Sequence, residues 1–182
     1  MEIKQECWAK TLLNAYSYLE TICGAIDKSV VNYGVSSAGS SKSTIQIANK
    51  IISLTERKKF LINIKVLVDD ILRTISSANA RLLVVKYIDK VKTELACEIL
   101  KLSTRTYFRH VKTAVSSFAA ELKKKGYDSA KLRSKMMNEG WILEIYNSYM
   151  AKNENKVEVN YDKLLKYAVN PCNSLKYFYA SA

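Results

Sequence analysis

The chain has 182 residues, of which 48% are hydrophobic and 25% charged, with a net charge of +12. That length supports one domain with a real core, or two small ones. A single proline and five glycines exclude a sandwich or barrel built from many turns and favour long helices, because both residues mark chain reversals.

The first predicted element is a helix over residues 5–26, where Trp8, Leu12, Tyr16, Leu19, Cys23 and Ile26 recur every three or four positions. The stretch "NYGVSSAGSSKS" (32–43) has almost no large apolar group and reads as a loop. It imitates a phosphate-binding loop, but Gly39 is followed by two serines before Lys42 and the residues ahead of it read as helix, so that reading is rejected. From about Thr44 to Ile75, Ile45, Ala48, Ile51, Ile52, Leu61, Ile64, Val68, Ile71, Leu72 and Ile75 keep helical spacing. Within it "TERKKF" (55–60) is a polar interruption, read as a bend or an exposed turn. The two helices predict an N-terminal helical hairpin over residues 1–77, whose apolar stripe packs within the chain or on a second copy as a homodimer.

Residues 78–127 form the next predicted domain, of three helices. The first covers about 78–87, with Leu82, Leu83 and either Val85 or Lys86 beside the core; "IDKVK" is a turn. The second covers about 93–100, with Leu95, Ala96, Ile99 and Leu100 apolar. Lys101 and Leu102 make a tight turn, and Ser103 stands where a helix N-cap belongs, its hydroxyl placed to accept from a backbone N–H two or three residues on. The third helix lies in "LSTRTYFRHVKTAVSSFAAEL" (102–122). Residues 128–182 read as a helical C-terminal extension, with Gly140 interrupting the pattern, "KVEVNY" as a candidate short strand, a short helix at about 161–168, and an aromatic tail after Pro171. The expected fold class is all-α.

Charge is unevenly spread along this plan. From Arg81 to Gly126 there are 11 Lys/Arg against 4 Asp/Glu, whereas residues 1–80 hold 10 against 7 and residues 127–182 hold 8 against 6. A localised basic surplus is the electrostatic footprint of a nucleic-acid partner, although lysine also simply solvates surfaces. The third predicted helix sharpens the choice. Tyr107, Val111, Ala114, Phe118 and Leu122 fall on one side, Arg105, Arg109 and Lys112 on the other, and no acidic residue occurs until Glu121. Two short helices joined by a few residues, with a cap before the second, make a helix-turn-helix, which presents the N-terminal half of its second helix to the DNA major groove.

In that reading Arg105, Arg109 and Lys112 face the groove, since arginine bonds the O6/N7 edge of guanine twice. Thr104 and Thr106, at the helix start, suit phosphate oxygens. Lys90, Lys92 and Lys101, in the turns, add phosphate contacts. Phe108 lies between the faces, where contact with a thymine methyl and partial burial are both open. The one histidine, His110, is placed toward the core side.

The same run carries a resemblance. Ser103-Thr104-Arg105-Thr106-Tyr107-Phe108-Arg109 matches the "S-x-R-T-Y-F-R" that opens the recognition helix of the sigma-like phage regulators of late gene expression, the ArpU/RinA-type group, and the segment also resembles the promoter-reading C-terminal domain of bacterial sigma factors. The trailing "FAAELKKKGYD", the Gly/Ser loop and "IANKIISL" at the head of the long helix are similar too, so the resemblance covers roughly residues 5–127. It implies sequence-specific binding of phage or prophage promoter DNA to activate transcription. Two positions depart from it: Lys101 stands where such motifs usually carry glycine, and Cys97 where they carry alanine. Residues 128–182 have no counterpart in it.

Other chemistries find little support. Cys7, Cys23, Cys97 and Cys172 show no metal-site or redox spacing, and buried reduced thiols of a cytoplasmic protein are expected. No signal peptide is read at the start, and no apolar run approaches the ~20 residues needed to cross a membrane. No catalytic constellation, metal site or cofactor is expected, so an enzyme is not. The expectation is a DNA-binding transcription regulator whose partner is double-stranded DNA. A packaging protein such as a small terminase subunit and a module that binds RNA polymerase are the rivals.

Overall fold

The computed structural model describes residues 2–35 and 43–151. Of these 87% are helical, and no strand occurs among them, so the fold is all-α. The helices are α1 (Glu2–Val35), α2 (Thr44–Thr74), α3 (Ser77–Leu83), which runs into a π-helical turn at Val84–Ile88, α4 (Thr93–Leu100), α5 (Thr104–Lys124), α6 (Ser129–Lys135) and α7 (Gly140–Met150).

Helix α1 continues well past the expected end at Ile26, because nothing from Asp27 to Tyr33 breaks a helix; within this stretch Ser29 satisfies its hydroxyl on the Ala25 carbonyl at 2.9 Å. Residues 32–35 of the predicted loop are therefore helical, and residues 36–42 lie outside the described residues. Helix α2 opens on a capping box: the Ser43 hydroxyl accepts from the Gln46 N–H at 3.3 Å and the Gln46 amide oxygen accepts from the Ser43 N–H at 3.2 Å.

The bend expected at "TERKKF" is absent, and α2 runs unbroken through it. Glu, Arg and Lys are strong helix formers, so the run changes the polarity of the surface without ending the helix. Buried Leu54 and Leu61 flank it two turns apart on one face.

The described residues fall into two compact units, one from residues 2–17 and 66–151, the other from residues 18–35 and 43–65. In the second, α1 and α2 are antiparallel: Asp27 pairs with Lys58 and Glu20 with Lys65, so seven residues back along one helix is seven forward along the other. Leu19, Ile22 and Ile26 from α1 and Ile47, Leu54, Leu61 and Ile64 from α2 are buried.

In the first unit the start of α1 carries buried Trp8, Leu12 and Leu13, and the Trp8 ring stacks on Tyr146 of α7 at 4.2 Å. Gln5 donates to the Tyr127 carbonyl at 2.8 Å and accepts from the Ser129 hydroxyl at 3.0 Å. In the same unit Leu132, Met136, Trp141, Ile142 and Ile145 are also buried. The helix expected at 161–168, the candidate strand "KVEVNY", the aromatic tail and Cys172 lie outside the described residues. Tyr16 donates to Asp69 at 2.7 Å while the adjacent Asp70 pairs with Lys125, so the two acids serve different partners.

The π-helical turn decides between Val85 and Lys86. The Asp89 N–H bonds the Val84 carbonyl at 2.9 Å, five residues back, and the Val91 N–H bonds the Val85 carbonyl at 3.0 Å. Widening the turn by one residue rotates the wheel, so Val85 and Tyr87 are buried with Leu82 and Leu83, while Lys86 is only half-buried.

Candidate nucleic-acid interface

The site begins with how α4 ends. Lys101 adopts the left-handed conformation, φ 52° and ψ 46°. The Leu102 N–H then reaches the Cys97 carbonyl at 2.9 Å and the Lys101 N–H the Glu98 carbonyl at 3.1 Å, the two bonds of a Schellman motif. The usual glycine position of the motif is therefore a left-handed one here, occupied by a lysine against its conformational preference.

Two residues later Ser103 is extended (φ −69°, ψ 151°), accepts from the Thr106 N–H at 3.3 Å, and donates its own hydroxyl to Thr106 Oγ1 at 2.9 Å. This N-cap starts α5 where the sequence placed it. The three residues 101–103 join α4 to α5 in the length of a helix-turn-helix connection.

Helix α5 packs on α3 and α4, and Asn79 of α3 donates to Ser117 Oγ at 3.4 Å. Its dry face is Tyr107, Val111, Ala114, Val115, Phe118, Ala119 and Leu122, all buried. Burial raises the Tyr107 phenol above its ordinary pKa, with Cys97 adding in the same direction.

On the other side Thr104, Arg105, Arg109 and Lys112 are exposed. At about 100° per residue the two arginines and Lys112 share an arc of roughly 60°. Lys123 belongs to the same arc, five turns and about 27 Å beyond Arg105, and is also exposed. Lys123 is not among the residues expected from the sequence, although the 3–4 spacing from Lys112 through Ser116 and Ala120 leads to it. Glu121, the one acid of α5, pairs with Lys124.

Thr106 is half-buried and its hydroxyl accepts from Ser103, whereas Thr104 is exposed. Phe108 is 50% exposed, with its ring edge-to-face on Tyr107 at 5.5 Å and the Lys86 ammonium 5.4 Å from its centroid. His110 is exposed, a correction to its placement toward the core, because it falls just outside the buried arc. In α4 only Ala96 is buried, and Leu95 and Ile99 face outward. Lys92 occupies the N-cap position of α4, and Lys90, like Lys101, has a left-handed backbone, φ 52°; all three lysines are exposed. The turns on both sides of α4 therefore carry lysine.

Cys7 is buried, Cys23 and Cys97 are half-buried, and all three are free thiols; burial raises the pKa of Cys7 and Cys23. Among the described residues no group of three or more His, Cys, Asp or Glu is placed to hold a metal ion, and no helix is long and apolar enough to cross a membrane. Comparison with protein-family models, curated proteins and solved structures finds no match to this chain.

Proposed function

We propose that the chain is a sequence-reading DNA-binding regulator of transcription, of the phage or mobile-element type its recognition-helix sequence resembles, and that the N-terminal half of α5 enters the major groove. The observation that carries this reading is the cationic, acid-free arc of Arg105, Arg109 and Lys112, exposed on a capped helix behind a three-residue turn. A helix meant only to face water would intersperse acids with its bases.

Arg105 and Arg109 read base edges, Lys112 reaches the groove or its wall, and Phe108 offers an apolar edge to a thymine methyl. Thr104 and Thr106 contact phosphate beside the helix start. Lys90, Lys92 and Lys101 hold the backbone from the turns around α4. The protein acts in the cytoplasm of a bacterial or phage-infected cell.

Selection from a random duplex pool tests this reading. A recovered consensus that is lost when Arg105, Arg109 and Lys112 are all changed to alanine supports it. Recovery without a consensus, or retention of RNA polymerase with no affinity for DNA, overturns it.

A further inference from the structure

Helix α2 carries two apolar stripes, and only one is covered. Ile47, Leu54 and Leu61 are buried. On another face Ile45, Ala48, Ile52, Thr55, Lys59 and Ile62 are all exposed, the three isoleucines by 72%, 54% and 42%. Their spacing alternates between three and four, the a/d repeat of a helix covered by another helix.

We propose that this outer stripe is a self-association surface, on which α2 pairs antiparallel with the same stripe of a second copy. In an antiparallel pair every a position meets a d position, so Ile45 faces Ile62 of the second copy, Ile52 faces Thr55, and Ala48 faces Lys59. Each layer then fits. Isoleucine covers isoleucine at both ends. The small Ala48 leaves room for the Lys59 stem to lie flat with its ammonium in water. The Thr55 hydroxyl already donates to the Ile51 carbonyl of its own helix at 2.9 Å, so covering it orphans no polar group.

The flanks also avoid like charges, with Glu56 opposite Asn49 and Lys58 opposite Ile51; Lys58 is bound to Asp27 of its own chain. A parallel pair fails this test, because it sets Lys59 against Lys59. The stripe is thus complementary to its own inverse, which is what an isologous two-fold contact requires.

Sedimentation equilibrium of the full chain without DNA tests the proposal independently of the DNA-binding reading. The wild type dimerises at micromolar concentrations. Ile52→Lys, at an exposed position, makes it monomeric with unchanged helical circular dichroism. Asn49→Lys, on the exposed flank, tightens the dimer about five-fold, because the antiparallel register sets the new lysine beside Glu56 twice. A wild type monomeric at 100-fold higher concentration, a dimer indifferent to Ile52→Lys, or a dimer loosened by Asn49→Lys each overturns it.

Discussion

Arg109 and Lys92 carry the same charge, and the proposed DNA-binding reading gives them different work. Arg109 sits on the exposed arc of α5, where in the proposed reading its forked guanidinium meets a base edge, so Arg109→Ala is expected to cost about 1–3 kcal/mol and to relax preference at one base position. Lys92 sits at the N-cap position of α4, where the proposed reading makes it a phosphate contact, so Lys92→Ala is expected to weaken binding evenly across sequences and to lower the salt slope by about one. Titration of the selected duplex and its single-base variants separates the two; equal losses on every duplex for Arg109→Ala would remove it from base reading.

Tyr107 supports the same helix from within. Its raised pKa means that the folded state favours the neutral phenol. That contribution is present below the unfolded value of about 10 and is lost as pH rises through the higher folded value. Denaturation midpoints of wild type therefore fall relative to Tyr107→Phe above about pH 10. Parallel curves would show that ionisation of this ring does not matter.

At the scale of elements one device appears twice. Both α4 and α5 end in Schellman bonds around a left-handed residue, Lys101 in one and Gly126 (φ 78°) in the other, where the Gly126 N–H reaches the Lys123 carbonyl and the Tyr127 N–H the Leu122 carbonyl. The substitutions run in opposite directions. Lys101→Gly removes a strained backbone and raises stability by about 1 kcal/mol, while Gly126→Ala lowers it by about 1–2 kcal/mol. An added Cβ at Gly126 would meet only the end of Lys131, at 3.7 Å, so the second cost is conformational. Ser103→Ala removes the cap of α5 and costs about 1 kcal/mol. Urea midpoints read all three; a destabilised Lys101→Gly would refute the account of that turn.

The bounds of α4 and α5 were legible because a cap residue and a short turn mark them chemically. The continuity of α2 was not, since the polar run at 55–60 imitates a boundary while keeping helix-forming residues. The π-helical turn at 84–88 was illegible for a different reason: a one-residue change of hydrogen-bond register leaves the apolar pattern ambiguous between Val85 and Lys86.

At the scale of the molecule, the first unit joins distant parts of the chain. Gln5 bonds Tyr127 across 122 residues, a pairing that no local periodicity encodes. The basic arc of the candidate site was legible, because it lies on one helix whose period is known. What the sequence left hidden was the conformational cost at Lys101 and the outward turn of Leu95, Ile99 and His110, which depend on how α3, α4 and α5 pack.

The basic surplus around α5 makes any DNA affinity fall with salt, whether or not sequence is read. The most direct measurement is therefore affinity for the selected duplex and for a scrambled one, each over a series of salt concentrations. The account predicts a preference of at least ~10³-fold for the selected duplex that persists as salt weakens both. Two curves that coincide and fall together would mean a basic surface without readout, and would contradict the assignment of Arg105 and Arg109 to bases.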